Sequence, residues 1–255
     1  MVSYLKKLFS SSLKQTPVII FWLLIWEGVN ALIGSNIIMV SPRVAFIRLY
    51  QIGQTAEFWH SIGTSLGRIL LGFTIALAVG VAIAIFSAAS KVFHRLILPA
   101  INVINAIPIA SFIVIALMAF HSESLSIFVA FVTVLPIIFY NTHKGIVTTD
   151  PMLLEMAKVF NVPSWKKVAY IYLKTVAPYF LSAANVGIGF AWKSGIAGEL
   201  IGVVRGTIGA NLHTARIFLQ TADLFAWTIA IVFLSYIMDR VFRILFGRVM
   251  EWQSK

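Results

Sequence analysis

Cysteine is absent from this 255-residue chain, which excludes disulfides, thiolate metal sites and cysteine nucleophiles. Charge is scarce: 11% of the residues are Asp, Glu, Lys or Arg, and only nine are acidic. A soluble domain carries about a quarter of its residues as charges, so this chain cannot cover an ordinary wetted surface. No Gly-x-x-x-x-Gly-Lys-Ser/Thr loop occurs, and the chain therefore encodes no phosphate cradle for a nucleotide. His60, His94, His121, His143 and His213 lie apart with no metal-ligand spacing, and no carboxylate pair or nucleophile motif accompanies them. That argues against a membrane enzyme and leaves no metal or catalytic residue to assign.

What the chain has instead is apolar length. Hydrophobic residues make up 60% of it, in runs of about 20 without strand-like alternation, and a chain in hydrocarbon must satisfy its own backbone. The expectation is an all-α polytopic membrane protein of about six transmembrane helices, at residues 17–35, 58–87, 96–120, 125–142, 175–192 and 224–240. No small-residue cleavage site follows the first run, which reads as an uncleaved span rather than a signal peptide. Pro99 and Pro108 interrupt the third run and predict a kinked helix, either a pore wall or a packing helix.

The net charge of +11 raises the question of nucleic acid. No basic run interleaves with aromatics, and most cations fall between apolar runs, as the positive-inside rule requires. Six spans would put fourteen Lys and Arg on the side of both termini (Lys6, Lys7, Lys14, Lys91, Arg95, Lys144, Lys158, Lys166, Lys167, Lys174, Arg240, Arg243, Arg248 and Lys255) and five on the other (Arg43, Arg48, Lys193, Arg205 and Arg216). Both termini are thus expected in the cytoplasm, with the chain in a lipid membrane and no nucleic acid as partner.

One polar island breaks the apolar text, DPMLLEMAKVFNVPSWKKVAYIYLKTVAP from Asp150 to Pro178. Asp150 is a good N-cap and Pro151 a good first helical residue. Leu153, Met156, Ala157 and Phe160 then recur at helical spacing and predict one apolar stripe. Asn161 tolerates a left-handed stop, Pro163 prevents continuation, and Ser164 is placed to cap a second helix through Trp165, Lys166 and Lys167 into the next span. Such an elbow can float on lipid headgroups or dock on a partner.

These residues resemble the cytoplasmic loop of permease subunits of bacterial ABC importers, written Glu-Ala-Ala, three residues, Gly, nine residues, Ile, one residue, Leu-Pro. Glu155, Met156, Ala157, Asn161, Ile171 and Leu173 fall at that spacing, with Met156 for the first Ala, Asn161 for Gly and Lys174 for Pro. WHSIGTSLGRILLGFTI at 59–75, PAINVINAIPIAS at 99–111 and GIGFAWKSGIAGELIG at 187–202 resemble permeases of the nitrate, sulfonate, taurine and bicarbonate type. The resemblance implies a type I importer permease core at 55–255, preceded at 1–54 by a tail, first span and external segment. It implies that residues 151–161 form a coupling helix at which Leu153, Glu155, Met156, Ala157, Phe160 and Asn161 meet a separate ATPase subunit. ATP and Mg would be bound by an ABC ATPase dimer and none by this chain, a second permease copy would complete the pore, and an extracytoplasmic binding protein would deliver a small solute. The implied solutes are an anion such as nitrate, a sulfonate or taurine, or a vitamin-precursor-like compound.

Polar groups inside spans mark a path or a packing contact. The candidates are Ser61, Thr64, Arg68, Asn102, Asn105, Asn185, Lys193 and Glu199, while Arg68 pairing with Glu27 is the structural reading of those two charges. Gly187, Gly189, Gly195 and Gly198 around Trp192 allow either a gate or close packing. A nucleotide-independent secondary transporter or channel is the alternative class, with Glu27, Arg68 and Glu199 as its coupling groups.

Overall fold

The computed structural model describes the backbone of residues 2–119 and 122–253 and the side chains of 17–119 and 122–244. Lys6, Lys7, Lys14, His121, Arg248 and Lys255 of the readings above lie outside the described side chains. Every regular element among the described residues is helical: α1 (Val2–Ile33), α2 (Pro42–Gly53), α3 (Ala56–Ala89), α4 (Lys91–Ala106), α5 (Ile109–Ala119), α6 (Leu125–Val147), α7 (Pro151–Val159), α8 (Ser164–Lys167), α9 (Leu173–Gly202), α10 (Ile208–Ile217) and α11 (Thr221–Gln253). A 3₁₀ turn leads into α6, and a π-turn over Val168–Tyr172 joins α8 to α9.

Ala56–Ala89, Ser122–Val147 and Thr221–Ile244 are each long and apolar enough to cross a membrane. The 30 residues of α9 reach about 45 Å, more than a bilayer core needs. It is less apolar because it is the central helix, buried against protein along most of its length. The third run is not one kinked helix. It is α4 and α5, bent by 104° at the break between them. Pro108 has no N–H and forces Ile107 into extended backbone at φ −72°, ψ 129°, so the turn cannot continue. The expected loop at Lys91–Arg95 is also helix, since Ser90 ends α3 and caps α4 through Phe93 N–H at 3.3 Å. The connecting segments at 34–55 and 203–220 contain α2 and α10, short helices that the apolar pattern does not mark.

The core forms where α3, α6 and α9 cross. Ile69 and Phe73 of α3, Val134 and Ile138 of α6, and Ile188 and Trp192 of α9 are buried together. The spacing is set by missing side chains: a Cβ on Gly195 would sit 2.5 Å from Ile69 Cγ1, so only glycine lets α9 lie this close to α3. Gly187 and Gly198 face Val134 and Val129 in the same way, which makes Gly187, Gly195 and Gly198 a packing device, whereas Gly189 faces open space. Trp192 donates its indole N–H to Ile231 O at 3.2 Å and ties α9 to α11.

The amino-terminal elements are pinned to α11. Trp26 stacks on Phe225 with ring centroids 5.4 Å apart and donates to Val40 O at 3.0 Å, and Thr221 donates to Ile37 O at 2.6 Å. Arg48 on α2 grips Asp223 with two hydrogen bonds from Nε and Nη2. The hydrogen bond to Asp223 outweighs partial burial and raises the Arg48 pKa above its ordinary value, so this cation stays charged. Because the arginine is 41% exposed, the pair is worth about 1 kcal/mol. A double-mutant cycle with Arg48→Ala and Asp223→Ala, read by thermal unfolding in detergent, is expected to return a coupling of that size; a value of zero would mean that α2 is held by apolar contacts alone.

Candidate functional site

The elbow has the local geometry its residues dictate. Asp150 accepts from Met152 N–H at 2.8 Å, and Pro151 occupies the first turn, where its missing N–H costs nothing. At the other end Asn161 stands at φ 50°, Val162 N–H reaches Ala157 O at 2.9 Å and Asn161 N–H reaches Lys158 O at 3.1 Å. That is a Schellman stop, with Asn supplying the left-handed residue that the resembled loop takes from Gly. Ser164 does not cap the next helix. Pro163 holds the cap position and Ser164 is the first helical residue, with no side-chain cap bond.

Burial divides the expected stripe. Ala157 is 1% exposed and faces inward, so it seats the helix and is not part of an outer surface. Met152, Leu153, Met156, Val159 and Phe160 are 42–76% exposed and form the outward apolar patch, with exposed Glu155 among them. Sequence reasoning missed Met152 and Val159. The i, i+4, i+7 spacing of Met152, Met156 and Val159 was legible, but choosing Ala157 as a stripe member rotated the face.

A second cluster lies where α3, α9 and α10 meet. Glu199 is fully buried; its Oε2 accepts from Ser65 Oγ at 2.7 Å and from Gly209 N–H at 3.3 Å. Ser65 Oγ accepts from Ile208 N–H at 3.0 Å, so serine and carboxylate together satisfy the first amides of α10. Gly209 is obligatory, because any Cβ there would overlap Glu199 and Leu200 N. Asn211 extends the network by donating to Ser61 Oγ at 2.9 Å.

Arg68 reaches this cluster and does not pair with Glu27. Glu27 lies exposed on α1, whereas the charge of Arg68 acts on Glu199 without closing to ion-pair distance. Arg68 Nη1 and Glu199 Oε1 are buried without hydrogen-bond partners. The reason is position: α1 packs on α2 and α11, away from the face of α3 that carries Arg68.

Of the polar candidates, Ser61, Arg68 and Glu199 therefore share one site, with half-buried Thr64 on the same stretch of α3. The others are dispersed. Asn102 is exposed on α4 and accepts from Tyr140 Oη. Asn105 lines a cavity of about 360 Å³ with Phe112, Thr133, Val186 and Phe190. Asn185 is half-buried with Oδ1 unpartnered, and Lys193 is exposed one turn beyond Phe190 on α9. Two histidines that are distant in sequence meet: His94 and His143 stack with centroids 4.6 Å apart, and His94 Nδ1 lies 2.6 Å from Ser87 Oγ. No group of three metal-ligating side chains occurs among the described residues.

The molecule is thus a bundle of apolar helices bearing a capped elbow with an outward apolar face. Residues 76–251 match the model of the binding-protein-dependent transport system inner membrane component. The chain belongs to that family. The permease is 26% identical over 220 residues to a probable ABC transporter permease protein of Brucella abortus (strain 2308), covering 86% of this chain and 88% of that one. It is 23% identical over 233 residues to the putative aliphatic sulfonates transport permease protein SsuC of Bacillus subtilis (strain 168), covering 90% and 84%. It is 25% identical over 235 residues to the bicarbonate transport system permease protein CmpB of Synechococcus elongatus, covering 87% and 84%. The permease is thus a non-catalytic, multi-pass inner-membrane subunit of an ABC importer, a class that works with ATPase subunits and a binding protein.

Proposed function

We propose that α7 is the element through which this permease receives the stroke of its ATPase. The single observation that carries the reading is the outward patch of Met152, Leu153, Met156, Val159 and Phe160 on a helix whose inner side is seated by Ala157. An exposed apolar helix face of this kind is a ready insert for a partner groove. Glu155 stands at its edge, Asn161 fixes its end, and ATP with Mg belongs to the partner chain. Two copies of the permease form the pore, so that one elbow meets each ATPase subunit, and six crossings leave both termini in the cytoplasm. The ATPase pair draws the elbows together and rocks the helices between two packings that differ by a few kcal/mol.

Asn105, Phe190 and Lys193 line the path along the exposed face of α9, with Asn102 and Asn185 beside it. Ser61, Ser65 and Glu199 fix α10 over its outer end, with Thr64 and Arg68 on the same stretch of α3. The names of the relatives support a small oxyanion as solute, delivered by the binding protein, and Lys193 suits that charge. The test is reconstitution with a partner ATPase and binding protein. Glu155→Arg and Met156→Asp are surface changes, and each is expected to leave the level of permease in the membrane unchanged while uptake falls roughly 100-fold, the effect of about 2.7 kcal/mol. Unchanged uptake in both, or full transport by the permease alone without nucleotide, would replace this reading with that of a nucleotide-independent carrier.

A further inference from the structure

A groove of about 380 Å³ lies between the ends of three helices on the elbow side of the molecule. Val81, Ile85 and Ala88 of α3 line one wall at helical spacing, Thr142 and Ile146 of α6 form the floor, and the π-turn and start of α9 supply Val168, Tyr172 and Val176. The volume falls within the range of small-ligand sites, about 300–1,000 Å³. Three features identify what fits it.

The first is its direction. From Ala88 to Val81 is seven residues, about 10 Å along α3, so the groove runs along the helices, with its mouth at the ends that carry α7 and α8. Ile85 and Val168 are more than half exposed and leave its flank open. The second is the mouth. Exposed Lys91 begins α4 beside it and Lys166 and Lys167 precede Val168, while segments 81–100 and 140–149 and the stretch 160–178 contain no acidic residue. Trp165, 64% exposed, stands at the same level with the Lys166 ammonium 5.4 Å from its ring, the arrangement of an aromatic interface residue. The third is the floor. Thr142 is 2% exposed, yet its Oγ1 has no hydrogen-bond partner. Other helical threonines here, such as Thr133 and Thr228, donate to the carbonyl four residues back.

We infer that this groove is a binding site for one anionic phospholipid of the cytoplasmic leaflet, its acyl chain against Val81, Ile85 and Val176, an ester carbonyl accepting from Thr142, and its phosphate held by Lys91 and Lys166. A lipid matches the order of groups along the groove: cations at the rim, one buried hydroxyl about a turn below, and hydrocarbon beneath. A soluble anion would use the rim and leave the apolar walls unfilled. The site sits on the π-turn between elbow and bundle, so its occupant is a wedge at the joint that the stroke crosses. The leaflet assignment rests on the orientation given under the proposed function; the groove and its chemistry do not.

The experiment is native mass spectrometry of the full chain after delipidation and back-addition of phosphatidylglycerol or phosphatidylcholine. The expected result is one retained phosphatidylglycerol per copy, with about tenfold weaker retention of phosphatidylcholine. Retention should be lost both in Ala88→Phe, which fills the groove, and in the double variant Lys91→Gln with Lys166→Gln, which touches only exposed side chains. Equal retention of the two lipids, or unchanged retention in the lysine double variant, overturns the proposal even if Ala88→Phe fails to fold. Inorganic phosphate that displaces the lipid at millimolar concentration also overturns it in favour of a free-anion site. The leaflet is read separately: Ser164→Cys is the only thiol in the chain and should react with an impermeant maleimide in inside-out vesicles alone. Reaction from the opposite side would reverse the orientation and leave the lipid result standing.

Discussion

Ala157→Asp is expected to abolish ATP-driven uptake while the permease still inserts into the membrane. Ala157 is 1% exposed, beneath the turn that Val162 closes by bonding back to its carbonyl. A carboxylate placed there finds water only if the helix lifts off, and an unpaired buried polar group costs roughly 2–7 kcal/mol. The elbow is short, held by one cap at each end, and has little stability of its own to offset that cost. The docking-competent population should therefore fall by about 100-fold or more, the equivalent of about 2.7 kcal/mol. Uptake into proteoliposomes is the measurement, with membrane level as the control and Ala157→Ser as the mild comparison. Full uptake by the aspartate variant would mean that the helix need not be seated for coupling, and the proposed role of α7 would fail. The prediction differs in kind from that for Met156→Asp, where fold is kept and only the partner contact is lost.

The second large effect is expected at Glu199. Truncation to alanine removes the acceptor for the buried Ser65 hydroxyl and for the Gly209 amide. A buried donor left unsatisfied costs about 1–3 kcal/mol. Glu199→Ala should therefore lower the melting temperature and the amount of permease in the membrane. Glu199→Gln retains an oxygen for Ser65 and Gly209 and loses only the charge, so its deficit should be smaller and should shrink further when combined with Arg68→Gln. Thermal unfolding of the four variants in detergent decides it. An alanine variant as stable as the parent would show that α10 is held by apolar packing of Ile208 and Leu212 rather than by its first amides.

What could be read in advance follows from how local each cause is. Asp150, Pro151 and Asn161 act on their own turn, and the elbow they specify is found as its residues require. The spans at Ala56–Ala89, Ser122–Val147 and Thr221–Ile244, set by long apolar runs, are equally legible. Pro108 was visible, but the 104° angle at it was not, because the angle depends on what α4 and α5 each pack against. Arg68 found its opposite charge 131 positions later on α9 rather than on α1, and nothing in either segment encodes that choice. The Ser65 and Gly209 contacts to Glu199 are likewise products of tertiary approach. α2 and α10 escaped notice because they are short and lie in polar segments whose apolar content is too low to mark them. The rotation of the α7 face by one residue shows the finest limit: a nine-residue helix with apolar residues nearly all round has no unique stripe until something covers one side.

The π-turn over Val168–Tyr172 has a mechanical consequence. It stores one residue more than an α-helical ladder would, between the elbow and the 30-residue rod that crosses the core. If that surplus residue migrated along the helix, everything on the elbow side would swivel by about 100° relative to the rod while the chain stayed continuously wound. The joint can thus act as a slip clutch, letting the elbow turn before the rod moves.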